Sequence, residues 1–218
     1  MFITFEGLDG SGKTTIINMI VNQISIDFPH LKHIFTREPG GKDLKEAERI
    51  REIILDPESD LSSIAEAFLY TTSRRIHLEK VVWPALNENK IVFCDRYVDS
   101  FYAYQGFARG LGLDYVKAIT NLAIDNTMPE ITVFFDITPS ESRTRIQKSR
   151  LIEDRLEKEK EDFHNKVYLG YKEIIISEPN RFIVVNARNE IDQVFQEVYS
   201  KLLQHPNFIN YLNKFKND

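Results

Sequence analysis

Residues 7–14 have the types and spacing of a loop that binds phosphate groups. The segment reads GLDGSGKT, which is the pattern G-x-x-x-x-G-K-[ST] between a predicted strand and a predicted helix. The glycines let several backbone N–H groups point into one concavity, and the following helix adds the partial positive charge of its N-terminus. Lys13 can reach the β- and γ-phosphates, and the Thr14 hydroxyl can bind Mg²⁺. The pattern therefore predicts a nucleoside triphosphate site formed by Gly7, Leu8, Asp9, Gly10, Ser11, Gly12, Lys13, Thr14 and Thr15.

Charged residues also follow two of the predicted strands. Asp95 and Arg96 come directly after the hydrophobic run 91–94, and Arg37 ends the run 33–37. Parallel α/β sheets bind ligands at the carboxyl ends of their strands, so these side chains are expected beside the phosphate loop. An arginine fork suits phosphate contacts, and Asp95 has the place of a Walker B-type carboxylate near Mg²⁺. The competing interpretations are a surface ion pair of Asp95 with Arg96 and a simple turn at Arg37.

The elements that must position these residues alternate along the chain. Short runs rich in β-branched and aromatic residues predict strands at 2–6, 33–37, 91–95, 131–136 and 182–185. Longer stretches predict helices at 14–25, 45–55, 62–87, 114–126, 140–148, 157–177 and 191–203. Several strands are nearly continuous hydrophobic runs, which is typical of parallel strands covered on both faces. We therefore expect one α/β domain over residues 1–218, with a parallel sheet.

Composition narrows the classes of function. The 218 residues include 28 Lys and Arg and 33 Asp and Glu, which give a formal net charge of −5 at pH 7. A mildly acidic chain is a poor candidate for general nucleic-acid binding, which depends on a basic face. The single cysteine, Cys94, excludes an intrachain disulfide, and no apolar run approaches the ~20 residues that span a bilayer. We therefore expect a cytoplasmic protein with no nucleic-acid or membrane partner.

Four further segments follow the phosphate loop. They read TREPGG at 36–41, FLYTTSRR at 68–75, DRYVDS at 95–100 with AYQG at 103–106, and DRLE at 154–157. In this order they resemble the thymidylate kinases, from residue 2 to about residue 205. The resemblance implies a three-layer P-loop kinase fold, in which helices flank a five-stranded parallel sheet and form a lid. It also implies transfer of the ATP γ-phosphate to dTMP with Mg²⁺, usually by a homodimer.

The resemblance implies roles for individual residues. Arg96 is expected to bridge the acceptor phosphate and the ATP γ-phosphate, and Arg37 to contact the acceptor phosphate. Asp9 is expected to accept a hydrogen bond from the dTMP 3′-hydroxyl, and the competing interpretation is that it closes a turn with its own backbone. Tyr70 is expected to stack on thymine, and Arg74 to bind its exocyclic oxygen. Periodicity alone would make Tyr70 a core residue and Arg74 a solvated one.

Further positions match the monophosphate pocket of this family. They are Glu38, Arg51, Ser100, Tyr104 and Gln105. Tyr104 is expected to pack under C2′ of the sugar and to disfavour a ribose hydroxyl, although it could equally be a buried helix aromatic. Phe101 stands where many members have a small polar residue, which leaves the contact of that residue with the base open in this chain.

A charged stretch at 143–157 is expected to form the lid. Its basic residues are Arg143, Arg145, Lys148, Arg150 and Arg155, whereas the phosphate loop has Ser11 and no arginine. Family members without an arginine in that loop supply a basic residue from the lid. We therefore expect Lys148, Arg150 or Arg155 to close over the phosphates, although each could equally lie on a solvated helix. The stretch 157–162 (EKEKED) is expected to be a solvated helix face.

The expected reaction needs no proton relay. A phosphate monoester has a second pKa near ~6, so the dTMP phosphate is largely dianionic at neutral pH. Catalysis then requires that two polyanions be held in line and their charge neutralised. Two other functions stay open at this point. A deoxynucleoside kinase would need a general base for a neutral 5′-hydroxyl, and a non-catalytic nucleotide-binding module would need only the phosphate loop.

Overall fold

One parallel sheet organises the molecule. The computed structural model describes residues 1–41, 43–149 and 154–215. The strands of these residues are β1 (Phe2–Gly7), β2 (His33–Arg37), β3 (Ile91–Asp95), β4 (Ile131–Asp136) and β5 (Phe182–Asn186). Their order is β2-β3-β1-β4-β5, and every neighbouring pair is parallel. The prediction of a five-stranded parallel sheet is confirmed, although β1 and β5 each extend one residue further than predicted.

The three central strands are buried almost throughout. All six residues of β1 are buried, as are the first four of β3 and the first five of β4. Burial on both faces explains why these segments read as continuous hydrophobic runs. A polar exception is satisfied within the sheet, because the hydroxyls of Thr4 and Thr132 share a hydrogen bond of 2.8 Å. An unpaired hydroxyl at this depth would cost about 1–3 kcal/mol.

Helices flank the sheet. Those of the described ranges are α1 (Lys13–Asp27), α2 (Lys45–Leu55), α3 (Ser63–His77), α4 (Trp83–Asn87), α5 (Val98–Phe101), α6 (Leu113–Ile124), α7 (Pro139–Ser149), α8 (Glu161–Ser177), α9 (Ile191–Gln204) and α10 (Pro206–Asn213). Two π-helical turns, Leu78–Val82 and Tyr102–Ala108, continue α3 and α5, and a 3₁₀ turn, Pro179–Arg181, precedes β5. Throughout these ranges, no helix has the length and apolar character that crossing a membrane requires.

Several helical predictions differ from the structure. The predicted helix 62–87 is divided into α3, a π-helical turn and α4. Residues 157–160 are not helical, so the predicted helix 157–177 begins only at Glu161. In that stretch Glu159 accepts a hydrogen bond of 2.5 Å from Arg109. The prediction of a solvated helix face at 157–162 is therefore wrong for its first four residues. Helix α10 is not among the predicted elements.

The strand register brings the predicted site residues to one edge of the sheet. Arg37 at the end of β2 lies opposite Asp95 of β3, which lies opposite Phe5 of β1. Gly7 at the end of β1 lies opposite Phe135 of β4. A Cβ atom at Gly7 would stand 2.8 Å from the Phe135 carbonyl oxygen, so this exit from the sheet requires glycine. The phosphate loop thus starts beside the carboxyl ends of β2 and β3.

Candidate active site

The loop 7–13 encloses the Lys13 ammonium group. Gly7, Gly10 and Gly12 have φ angles of 140°, 70° and 87°, which L side chains rarely adopt. Lys13 Nζ donates hydrogen bonds to the carbonyl oxygens of Gly7 at 3.1 Å and Leu8 at 2.9 Å. Burial lowers the pKa of Lys13 to about 8. A partly desolvated cation inside a glycine-rich loop at a helix N-terminus is suited to bind a polyphosphate.

The first turn of α1 faces the end of β3. Thr14 Oγ1 donates a hydrogen bond of 3.0 Å to Asp95 Oδ2. The other carboxylate oxygen, Asp95 Oδ1, is buried and has no hydrogen-bond partner within the described residues. Mg²⁺ prefers hard oxygen ligands and keeps several waters, so one hydroxyl and one carboxylate suffice when phosphates supply the rest. Thr14 and Asp95 therefore fit a magnesium ion. Thr15 follows on the same turn, and Ser11 is buried within the loop.

Arg96 stands just beyond β3 in an unusual backbone conformation. Its φ angle is 67°, and its N–H donates to the Phe5 carbonyl oxygen at 3.0 Å. Nη2 donates to Asp9 Oδ1 at 2.7 Å, and Nη1 donates to Ser100 Oγ at 3.1 Å. The guanidinium lies 5.4 Å from the centre of the Tyr104 ring. A left-handed conformation in a bulky residue costs of order 1–3 kcal/mol and is typical of functional sites.

A cleft at this edge gathers positive charge. Its cationic lining residues are Lys13, Arg37, Arg51 and Arg96. Arg37 pairs with Glu48 at 2.8 Å, and Arg51 Nη1 donates to the Pro39 carbonyl oxygen at 3.0 Å. Burial, and next the charge of Arg37, lower the pKa of Arg51. Cations crowded in this way repel one another unless an anion lies between them, so the cleft is suited to phosphates.

A second, more apolar pocket continues from the cleft. Its walls include Tyr70, Arg74, Tyr97, Phe101, Tyr104 and Gln105. The cleft and the pocket share Asp9, Glu38, Arg51 and Arg96. A ring bound in the pocket could therefore carry a phosphate group into the cleft.

Arg74 lies inside this pocket and not on the solvated surface that periodicity alone would predict. Its exposed fraction is 2%, and its Nε donates to Glu38 Oε2 at 2.8 Å. His77 Nδ1 lies 3.0 Å from the other Glu38 oxygen. The guanidinium lies 5.0 Å from the Phe101 ring centre, and the Tyr70 ring lies 6.2 Å from Phe101. Among the described residues, the buried Arg74 Nη1 has no hydrogen-bond partner, which leaves a planar donor for a ligand oxygen.

Gln105 and two arginines converge on Glu66, which is 1% exposed. Gln105 Nε2 donates to Oε1 at 3.0 Å, Arg109 Nε donates to Oε1 at 3.1 Å, and Arg155 Nη2 donates to Oε2. Arg155 Nε also donates to the Ile54 carbonyl oxygen at 2.8 Å. This end of the predicted lid is therefore fastened to α2 and α3. The structure places Arg155 on Glu66 and not in the lining of the phosphate cleft.

The residue that precedes the predicted lid is hydrogen-bonded to the phosphate loop. Ser142 Oγ on α7 donates to the Asp9 carbonyl oxygen at 2.6 Å. Lys148 lies in the last turn of α7, and Arg150 lies outside the described residues. The structure thus brings together the phosphate loop, Asp95, Arg96 and the apolar pocket. It brings neither Lys148 nor Arg155 to the cleft.

Three buried polar groups near the site were not anticipated from the sequence. They are Glu6, Glu66 and His77. Burial, and next the charge of Asp99, raise the pKa of Glu6 to about 7. The sequence does contain one indication, because a carboxylate inside a strand that is otherwise buried requires partners. The pattern does not say which partners these are.

The fold and the site define a class of protein. A glycine-rich phosphate loop follows the first strand of a parallel sheet, and donors for a second ligand stand at the same edge. This combination is that of a P-loop kinase, as the resemblance implied.

Comparison with known proteins identifies the family. The family model described as thymidylate kinase matches residues 5–198. The thymidylate kinase of Mycoplasmopsis agalactiae is 57% identical over 208 residues, which are 95% of this chain and 97% of that protein. That of Mycoplasma mobile is 47% identical, over 92% of this chain and 97% of its own. The solved structure of thymidylate kinase from Ehrlichia chaffeensis has a TM-score of 0.75 at 32% identity, and the match covers 94% of this chain and 98% of that one. The chain belongs to the thymidylate kinase family.

Proposed function

We propose that this protein transfers the γ-phosphoryl group of ATP to dTMP and produces dTDP and ADP. One observation carries the proposal: the apolar pocket and the cationic cleft share Asp9, Glu38, Arg51 and Arg96. A nucleoside monophosphate in the pocket would thus present its phosphate to a triphosphate on the loop. The proposal includes a cytoplasmic location, which suits the buried, unpaired thiol of Cys94.

The triphosphate and the acceptor phosphate meet at Arg96. Lys13 and the N–H groups of the loop would hold the β- and γ-phosphates, and Arg37 and Arg51 would hold the acceptor phosphate. The Arg96 fork, fixed by Asp9 on one side, would contact both phosphoryl groups. Holding two polyanions in line and neutralising the charge that develops between them are the main contributions to phosphoryl transfer.

The acceptor nucleoside would be bound by the pocket. Tyr70 would stack on thymine, and the buried Arg74 Nη1 would donate to its exocyclic oxygen. Asp9 would accept a hydrogen bond from the 3′-hydroxyl. Tyr104 would pack under C2′, while Ser100, Gln105 and Glu38 complete the wall. Tyr104, whose side chain is 5% exposed, would be the residue that disfavours a ribose hydroxyl.

Thr14 and Asp95 are the residues that would hold Mg²⁺. The bound ion would supply positive charge to the phosphate oxygens. The protein's part is to orient these two ligands, since Thr14 Oγ1 and Asp95 Oδ2 already lie 3.0 Å apart. In the part of the chain that the structure describes, no group of three His, Cys, Asp or Glu side chains is arranged for a metal, so the phosphates would complete the coordination.

The charge of the acceptor group distinguishes a dTMP kinase from a deoxynucleoside kinase. The dTMP phosphate is already an anion, whereas a nucleoside 5′-hydroxyl needs a base to accept its proton. Two carboxylates that line the pocket are already paired with arginines, Asp9 with Arg96 at 2.7 Å and Glu38 with Arg74 at 2.8 Å. Arg37 and Arg51 would have no acceptor phosphate to bind if the acceptor were neutral. The cationic cleft therefore favours a monophosphate.

A coupled assay of ADP release tests the proposal. The purified protein with ATP and Mg²⁺ receives dTMP, thymidine or no acceptor. ADP release with dTMP, and none with thymidine or without an acceptor, supports the proposal. Turnover with thymidine would make it a nucleoside kinase, and ATP binding without turnover of any monophosphate would make it a binding module. Arg96→Lys keeps the charge but removes the fork, and should lower kcat by roughly 10²-fold or more.

The lid supplies a further part of the proposal. Lys148, Arg150 or Arg155 would close over the phosphates when ATP binds, and Arg155 would first have to leave Glu66. Arg150→Ala and Arg155→Ala test this by separate measurement of kcat and KM. Loss of transition-state charge stabilisation predicts a fall in kcat of roughly 10²-fold for the residue that closes. A change below threefold in both variants would remove the two arginines from the proposed mechanism.

A homodimer is also part of the proposal. Helices α3 and α6 pack against each other and expose large apolar side chains: Ile64, Phe68, Tyr115 and Leu122. Leu122 is 83% exposed and Phe68 is 53% exposed. Light scattering after size exclusion should give a dimer mass for the wild type and a monomer mass for Phe68→Glu. Leu169→Glu on α8, at a residue 60% exposed, is the matched control and should stay dimeric. A monomeric wild type would contradict this part.

A further inference from the structure

Glu6 lies in β1, and its carboxylate accepts hydrogen bonds from residues that follow Arg96 in the chain. Glu6 is 0% exposed. Its Oε1 accepts a hydrogen bond of 2.7 Å from the Tyr97 N–H. Its Oε2 accepts from Ser100 Oγ and, at 2.9 Å, from the Tyr171 hydroxyl. A single buried carboxylate therefore holds the backbone after Arg96 and two hydroxyl groups beside it. We call Glu6, Ser100 and Tyr171 the Glu6 hub.

The same two hydroxyls are the acceptors for Arg96. Arg96 Nη1 lies 3.1 Å from Ser100 Oγ and 3.4 Å from the Tyr171 oxygen. A hydroxyl has one proton and two lone pairs. The two hydroxyl oxygens also lie 2.8 Å from each other, so Glu6, Ser100 and Tyr171 form one hydrogen-bonded group in which each hydroxyl oxygen can still accept from Nη1. The hub thus fixes the positions of both acceptors.

Arg96 needs such support because its conformation is costly. Its φ angle of 67° is held by its N–H to the Phe5 carbonyl oxygen, and the next N–H is held by Glu6. On its other side, Nη2 pairs with Asp9. In the proposed reaction Asp9 also binds the 3′-hydroxyl of the acceptor, so its contact with Arg96 is shared with substrate. Within the hub, Glu6 and Tyr171 line neither the pocket nor the cleft, so their contacts are with the protein.

Tyr171 brings a distant segment into this arrangement. It lies on α8, after the lid, and its ring lies 5.0 Å from the Phe134 ring. Removing only its hydroxyl leaves that packing in place. We propose that Glu6 and Tyr171 are positioning residues for Arg96: they hold its guanidinium where the two phosphoryl groups meet. This inference rests on the proposed function.

A double-mutant cycle separates positioning from general support of the fold. Tyr171→Phe should lower kcat by about tenfold, which is the effect of one hydrogen bond to a charged group. If the effect passes through Arg96, Tyr171→Phe should change kcat by less than twofold in an Arg96→Lys background. Tyr199→Phe is the matched control: it also removes a hydroxyl that donates to a carboxylate, Asp27 at 2.5 Å. It should leave kcat unchanged. Equal effects in the wild-type and Arg96→Lys backgrounds would overturn the inference.

A spectroscopic measurement tests the same inference without turnover. The Nε–Hε resonance of Arg96, assigned by its absence in Arg96→Lys, should shift in Tyr171→Phe and stay in place in Tyr199→Phe. If Tyr171→Phe does not fold, Ser100→Ala replaces it, because it removes the other acceptor of Nη1. Failure of the wild type to phosphorylate dTMP would sink the proposed function, while the resonance would still decide the position of Arg96. An unshifted resonance would overturn the inference.

Discussion

The Lys13 ammonium group should give ATP binding a pH dependence that follows from its burial. Without nucleotide, the pKa of Lys13 is lowered to about 8. A polyphosphate favours the charged form, so binding raises this pKa and takes up a proton wherever Lys13 is neutral. Affinity therefore falls as the pH rises through this value. For one such group, the loss between pH 7 and pH 9 is about tenfold, and the uptake per ATP is roughly 0.1, 0.5 and 0.9 protons at pH 7, 8 and 9.

Calorimetry in two buffers of different ionisation enthalpy measures this uptake directly. The titrant is ATP with Mg²⁺, and dTMP is left out so that no turnover occurs. ATP itself contributes little, because its terminal phosphate ionises near ~6. Lys13→Arg is the control, since a guanidinium keeps its charge and should bind ATP without proton uptake. Uptake near zero at both pH 8 and pH 9 in the wild type, with constant affinity, would refute the reasoning.

Two further outcomes follow from buried polar contacts. His77→Ala removes one of the two partners that hold Glu38 behind Arg74 and should raise KM for dTMP about tenfold with kcat within threefold. Steady-state kinetics measures both constants, His30→Ala at an exposed position is the control, and an unchanged KM in His77→Ala would contradict the prediction. Arg155→Ala leaves the buried Glu66 with one cation fewer and should lower the free energy of unfolding by about 1–3 kcal/mol. Urea denaturation measures this change, and an unchanged unfolding midpoint would contradict the prediction.

The sheet could be predicted from the sequence because its strands are hydrophobic on both faces. Short hydrophobic runs such as 91–94 and 131–135, separated by helical stretches, indicate buried parallel strands. Helix starts were harder to predict. Glu161 begins α8 only after a turn in which Glu159 binds Arg109, a contact across 50 residues that no local pattern contains. Pro206 locally indicates the end of a helix. Its fixed φ angle also suits the first position of a helix, however, and α10 begins there.

The candidate site also contains residues whose positions follow from the sequence and residues whose positions do not. The phosphate loop could be predicted because the spacing of its glycines, lysine and threonine indicates both the shape of the backbone and the phosphate that it binds. The position of Arg96 follows from the end of β3. Arg74 could not be predicted from periodicity, because its burial depends on Glu38, which follows β2 and lies 36 residues away. The same holds for Arg155, whose partner Glu66 lies 89 residues away. The roles of these residues stay predictions until they are measured.

The position of Cys94 gives the protein an internal reporter. This only cysteine of the sequence lies in β3, is 0% exposed and is followed two residues later by Arg96, whose carbonyl oxygen is 3.1 Å from its sulfur. Burial raises the pKa of the Cys94 thiol, which keeps it in its unreactive form. A thiol reagent can reach the sulfur only when the middle of the sheet opens. The labelling rate of the unmodified chain therefore measures that opening, and a nucleotide that binds at the end of β3 should slow it.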